Sequence, residues 1–153
     1  MSRIRSRGFT VIEAIVLVMI LGIVAAFAVP KFAALDSQAR TASVNGLAGS
    51  VRSAAALARG LAMASGETTH VTMEGATVTL LNSYPDATAT GIPRAVSTNR
   101  GANGEFMFAA GSSSTTAATW IRSGAPAPAE CSVSYTAAAS NGAPTVAVTT
   151  TGC

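Results

Sequence analysis

The stretch RSRGFTVIEAIVLVMILGIVAAFAVP, residues 5–30, decides how this chain is read. Arginines at positions 3, 5 and 7 stop at Gly8, and from Phe9 to Val29 the chain is almost wholly apolar until Pro30 ends the run. Those 21 residues would extend roughly 31 Å as a helix, close to the hydrocarbon thickness of a bilayer. Basic residues precede the run and none interrupts it. The positive-inside rule therefore places the N-terminus in the cytoplasm and everything beyond Pro30 on the far side. One carboxylate, Glu13, sits in its first turns and needs a reason. An acid at the centre of a membrane helix costs about 2.5–3.5 kcal/mol on insertion scales, and less near the end.

Two kinds of processing compete for this segment. Ala26-Phe27-Ala28 offers the A-x-A pattern of an ordinary secretory signal, but the apolar run exceeds the usual 7–15 residues and a disposable signal gains nothing from Glu13. The alternative cut lies between Gly8 and Phe9. It discards the arginines, keeps the anchor and creates an α-amino group four residues, one helical turn, before Glu13. On physical grounds two accounts of Glu13 stay open: it sits in the headgroup region unpaired, or it neutralises such an amine at membrane depth.

The segment RGFTVIEAIVLVMILGIVAAFAVPKF resembles the N-terminus of type IV prepilins and related pseudopilins. The resemblance implies that a prepilin peptidase cuts after Gly8 and N-methylates Phe9, and that Glu13 meets the amine of a neighbouring subunit during assembly. It also implies that the helix between Gly22 and Pro30 loosens in filaments. Val11 and Ala14 depart from the leucines common in that family, but both remain apolar. The implied organisation is a leader over 1–8, a transmembrane and filament-core helix over 9–30, and a periplasmic or extracellular head over 31–153.

Loss of the leader changes the charge argument. The precursor has ten Lys+Arg against seven Asp+Glu, and three of the arginines belong to the leader, which leaves seven against seven. The basic balance is a property of the leader, so it gives no reason to expect nucleic-acid binding.

Beyond Pro30 the apolar residues Phe32, Leu35, Ala39, Leu47, Val51, Ala54, Ala58 and Leu61 keep a helical spacing, with Asp36 and Arg40 as an i,i+4 pair. This predicts one long helix from Phe9 to about Ala64, kinked near Pro30 and ended by Ser65-Gly66. Gly46, Gly49 and Gly60 would weaken it locally and permit close approach of another element. The period then changes to two. THVTM and TVTLL flank Glu74-Gly75-Ala76 as a hairpin, and EFMF, ATWIR, SVSYT and TVAVTT read as further strands. Residues 82–102 read as a loop.

Asn141-Gly142 is a hairpin-turn signal. A hairpin centred on it puts Cys131 opposite Gly152, beside Cys153, so the two sulfurs meet within a residue or two of register. In an oxidising periplasm they should be bridged. This bridge matches the disulfide-bounded C-terminal region of pilins. PKFAALDSQAR, SYPDATATGI, Trp120 and CSVSYTAAASNGAPTVAVTTTGC together are similar to pilins of the mannose-sensitive haemagglutinin (MSHA) group.

Other classes fare worse. His70 is the single histidine, no nucleophile elbow surrounds any serine, and the acids are scattered, so no catalytic residue, cofactor or metal site is expected. A type II secretion pseudopilin shares the leader and anchor. The cysteine pair and the absence of a D-x-D cluster favour a pilin over it. A minor pilin that binds a ligand or DNA is a third reading. Trp120, Tyr84 and Tyr135 could form a sugar-binding patch, although core packing suits them better. The expectation is thus an α+β type IV pilin fold: a long N-terminal helix packed through its second half on a C-terminal antiparallel sheet. The subunit would wait in the inner membrane and polymerise into an extracellular filament. Its expected partners are other pilins, the peptidase and the inner-membrane assembly platform, with a surface or host-cell ligand left open. Adhesion and motility both suit such a filament.

Overall fold

The computed structural model describes residues 8–96 and 104–153. The leader arginines, and residues 97–102 of the expected loop, lie outside the described residues. The chain falls into two compact units, Met1–Ser37 and Gln38–Cys153.

One helix, α1, runs over Val11–Ser65 with Pro30 inside it. The helix continues through Pro30 although the proline has no N–H to offer the carbonyl of Ala26. From Phe9 to Leu35 every Val, Ile, Leu, Met and Phe is exposed, as far as 78% at Val11 and 75% at Phe27. The apolar character runs all round, which is the mark of a segment whose solvent is lipid or other helices.

The second stretch of α1 behaves differently. Val44, Leu47, Ala48, Val51, Ala55, Ala58 and Ala62 are buried, at the three- and four-residue spacing of a single helix face. The expected face is therefore right at Leu47, Val51 and Ala58. Phe32, Leu35 and Ala39 are exposed instead, and Leu61 is 37% exposed. Alanines occupy much of the true face because small side chains let the sheets approach the helix axis. The expectation for Gly46, Gly49 and Gly60 fails within this chain, since a Cβ built at any of them meets nothing within 4 Å.

Two antiparallel sheets, rather than one, cover that face. The first has order β1-β2-β3, from His70–Met73, Ala76–Leu81 and Tyr84–Pro85. The second has order β4-β5-β6-β7, from Phe106–Ala109, Ala118–Arg122, Ser132–Thr136 and Thr145–Thr149. Ala58 and Ala62 cluster with Val71, Met73, Val78 and Leu80 of the first sheet. Val44, Leu47 and Val51 cluster with Trp120, Val133 and Tyr135 of the second. Each fully buried Val or Leu contributes about 1.5–3 kcal/mol.

Met73 pairs with Ala76, so Glu74 and Gly75 form a two-residue loop with φ of 47° and 79°. Positive φ at both positions is the type I′ pattern that matches strand twist, and Gly75 takes it without a Cβ penalty. The expected loop over 82–102 holds two unexpected elements. Asn82-Ser83, with φ of 53° and 66°, turns the chain from β2 into β3, and α2 forms at Ile92–Ala95. The strands β5 and β6 coincide with ATWIR and SVSYT.

Candidate assembly segment and C-terminal staple

Gly8, Phe9 and Thr10 precede the helix. The Ala14 N–H donates to the Thr10 carbonyl at 3.1 Å, which makes Thr10 the N-cap. The Glu13 N–H donates to Thr10 Oγ1 at 3.3 Å, and the Thr10 N–H donates back to Glu13 Oε2 at 3.5 Å. This is a reciprocal capping box, and it satisfies two amide groups that the helix start would otherwise leave open. The carboxylate also faces the positive end of the helix dipole. Reading Glu13 by charge alone overlooks this role. The Thr10-Val11-Ile12-Glu13 spacing, S/T-x-x-E before an apolar run, is its sequence signature. Glu13 thus has a local function inside the apolar run whether or not an amine later joins it.

Gly22 lies in unbroken helix, as does Pro30. A Cβ at Gly22 meets nothing within 4 Å. Each residue lowers helix propensity where it stands, Gly22 for want of a side chain and Pro30 for want of a hydrogen-bond donor.

At the other end of the chain Cys131 and Cys153 are joined as a disulfide, with Cα atoms 4.9 Å apart and a sequence separation of 22. The route differs from the simple hairpin. Ser132 pairs with Thr149 and Thr136 with Thr145, which places Cys131 level with Thr150 instead of Gly152. The chain then turns back, with the Cys153 N–H donating to the Thr150 carbonyl at 3.2 Å, and this brings the second sulfur to the first. Asn141, with φ of 60°, sits at the tip of a wider connection in which the Gly142 N–H donates to the Ala139 carbonyl. Arg40 of α1 donates through Nη1 to the Cys153 carbonyl at 2.8 Å, so the stapled segment is tied to the helix as well.

The three aromatic residues weighed for a sugar patch are core residues. Trp120 and Tyr135 have no exposed surface and Tyr84 is 8% exposed. Tyr135 donates its hydroxyl to the Pro85 carbonyl at 2.6 Å, linking the two sheets. Burial, and then the charge of Asp86 and the neighbouring Tyr84, hold the Tyr135 phenol above its ordinary range. His70 lies exposed on β1, with Nδ1 3.0 Å from Thr69 Oγ1.

A long apolar N-terminal helix, antiparallel sheets against its second part and a C-terminal disulfide define an α+β architecture that fits the type IV pilin fold. Comparison with curated proteins agrees. The chain is 48% identical over 54 residues to the type IV narrow pilus major component PilA5 of Thermus thermophilus, a match covering 35% of this chain and 47% of that protein. The matched region spans about half the length of that relative. No protein-family model matches the chain, and no solved structure matches it.

Proposed function

We propose that this chain is a type IV pilin, a structural and non-enzymatic subunit that polymerises with other pilins into a surface filament. The observation that carries the proposal is the division of α1: an apolar part exposed on all sides from Phe9 to Leu35, and a part from Val44 to Ala62 with one buried face. The first part suits the inner membrane before assembly and the filament core after it. Exchanging lipid for neighbouring helices costs little, so packing and polar contacts choose the register.

Glu13 supplies such a contact. A prepilin peptidase cut between Gly8 and Phe9 leaves an amine one residue before the Thr10 cap. The carboxylate that accepts from Thr10 is then within a turn of a cation in its own subunit and is available to the amine of the next. N-methylation of Phe9 follows in this reading. The helix between Gly22 and Pro30 is where the filament would loosen α1. The head, residues 31–153, lies on the far side of the membrane and then outside the cell. The inner-membrane assembly platform handles the subunit between these states. The MSHA group is the subfamily this reading favours, from PKFAALDSQAR and the Cys131–Cys153 segment, with adhesion or motility as the filament's task.

The intact mass of the protein recovered from its own host tests this directly. A chain beginning at N-methyl-Phe9 is the expected result. A chain beginning at Val29 would mean ordinary secretion without an anchor and would overturn the proposal.

A further inference from the structure

A groove of about 580 Å³ opens between three segments of the head. Arg59 and Met63 come from one turn of α1, Asn82 and Ser83 from the β2–β3 turn, and Ser140 and Asn141 from the β6–β7 connection. We propose that this groove binds a saccharide bearing a carboxylate, with Arg59 gripping the carboxylate and the amide and hydroxyl walls reading the sugar hydroxyls. The proposal goes beyond filament formation and concerns a property of the single subunit.

The cation is held in place. Arg59 Nη1 donates to the Tyr84 hydroxyl, and the guanidinium carbon lies 4.8 Å from the centroid of the Tyr84 ring. Tyr84 is itself buried, so the pin is fixed to the core. All seven acids of the sequence lie among the described residues, and none forms an ion pair with Arg59. Its remaining N–H edge is therefore available, and a planar guanidinium edge matches a carboxylate by two parallel hydrogen bonds. Arg59 is the one cation among the described residues that line the groove, and a single cation suits a monoanion better than a doubly charged phosphate.

The walls are braced too. Asn82 donates through Nδ2 to the Ala138 carbonyl at 2.8 Å, which ties the β2–β3 turn to the β6–β7 connection. Asn82, Ser83 and Asn141 all hold positive φ, a conformation that costs non-glycine residues about 1 kcal/mol or more. Such conformations persist only where surrounding contacts hold them, and bracing of this kind keeps a polar wall in one geometry before a ligand arrives. Amides and hydroxyls offer both donors and acceptors, as sugar hydroxyls require. Met63, 65% exposed, gives the groove an apolar edge for a sugar face. The volume falls in the range of about 300–1,000 Å³ usual for small-molecule sites.

The test uses the full chain as a monomer in detergent micelles, so that filament assembly has no part in the result. Titration with trigalacturonate, followed by calorimetry and ligand-observed NMR, should show saturable binding. The methyl-esterified trisaccharide, which has the same skeleton without the charge, should bind at least about tenfold more weakly. Arg59→Gln should lose about tenfold or more, and Arg59→Lys, which keeps the charge but not the fork, should lose affinity as well. Arg59→Lys carries the test if Arg59→Gln lowers the melting temperature. The proposal is overturned if trigalacturonate does not bind at about 10 mM, or if the esterified form or acetate binds as tightly. Tighter binding of an acidic tripeptide, or affinity in Arg59→Lys equal to the parent's, would also overturn it.

Discussion

Removal of the Cys131–Cys153 bridge, by replacing both cysteines with serine, should cost the head a large part of its stability. The bridge joins positions 22 apart in sequence. In the chain-entropy account a loop of that size lowers the entropy of the unfolded chain by about 11 cal/mol/K, or about 3.4 kcal/mol at 25 °C. The unit Gln38–Cys153 has 116 residues, and an unfolding entropy near 2.1 cal/mol/K per residue gives about 0.24 kcal/mol/K. The melting temperature should therefore fall by about 14 °C. Circular dichroism of the full chain in detergent measures it, and the parent protein under reducing conditions should melt with the double variant. The position of Cys153 bears on the mechanism. β7 is held by β6 through five residue pairs, so the segment stays in place in the folded state and the loss comes mainly from a freer unfolded chain. A fall of less than about 3 °C would refute the reasoning, because the loop entropy would then be absent from the unfolded state.

Glu13→Ala should leave the Gly8–Phe9 cut intact and abolish or sharply reduce filaments, read by electron microscopy of sheared cells; normal filaments would make the carboxylate dispensable. Gly91→Ala should destabilise the head by about 2 kcal/mol or more, because a Cβ there would lie 1.9 Å from Asp86 Oδ1 and 2.2 Å from its carbonyl. Gly46→Ala, on open surface, should leave the monomer unchanged or raise its stability by up to about 1 kcal/mol; chemical denaturation of both variants separates the cases. Stability should also fall as pH rises above about 10, since the unfolded chain ionises Tyr135 at its ordinary value while the folded chain keeps the phenol neutral. That contribution is fully present below pH 10, and Tyr135→Phe should flatten the alkaline slope. An alkaline limb identical in that variant would show that another group carries it.

Much of this protein can be read along the chain. The apolar run after Gly8, the change from helical to alternating period after Ser65, and the two cysteines with their spacing all depend on neighbours close in sequence. Side-chain periodicity and segment length are local properties, and they suffice for α1, for β5 and β6 and for the existence of the bridge. The Thr10–Glu13 capping box was equally local, and its four-residue signature was open to reading.

Tertiary structure decided the rest. Only the approach of the sheets could select Val44, Ala48, Ala55 and Ala62 over Leu61 as the buried face, since alanine gains its value from how near another backbone comes. The two-residue shift that sets Cys131 level with Thr150, and the return turn that rescues the bridge, depend on the width of the β6–β7 connection. The pinning of Arg59 by Tyr84 joins residues 25 apart in sequence, and Asn82 reaches Ala138 across 56. Periodicity carries no information over such separations. Packing of the two sheets on one helix brings these groups together.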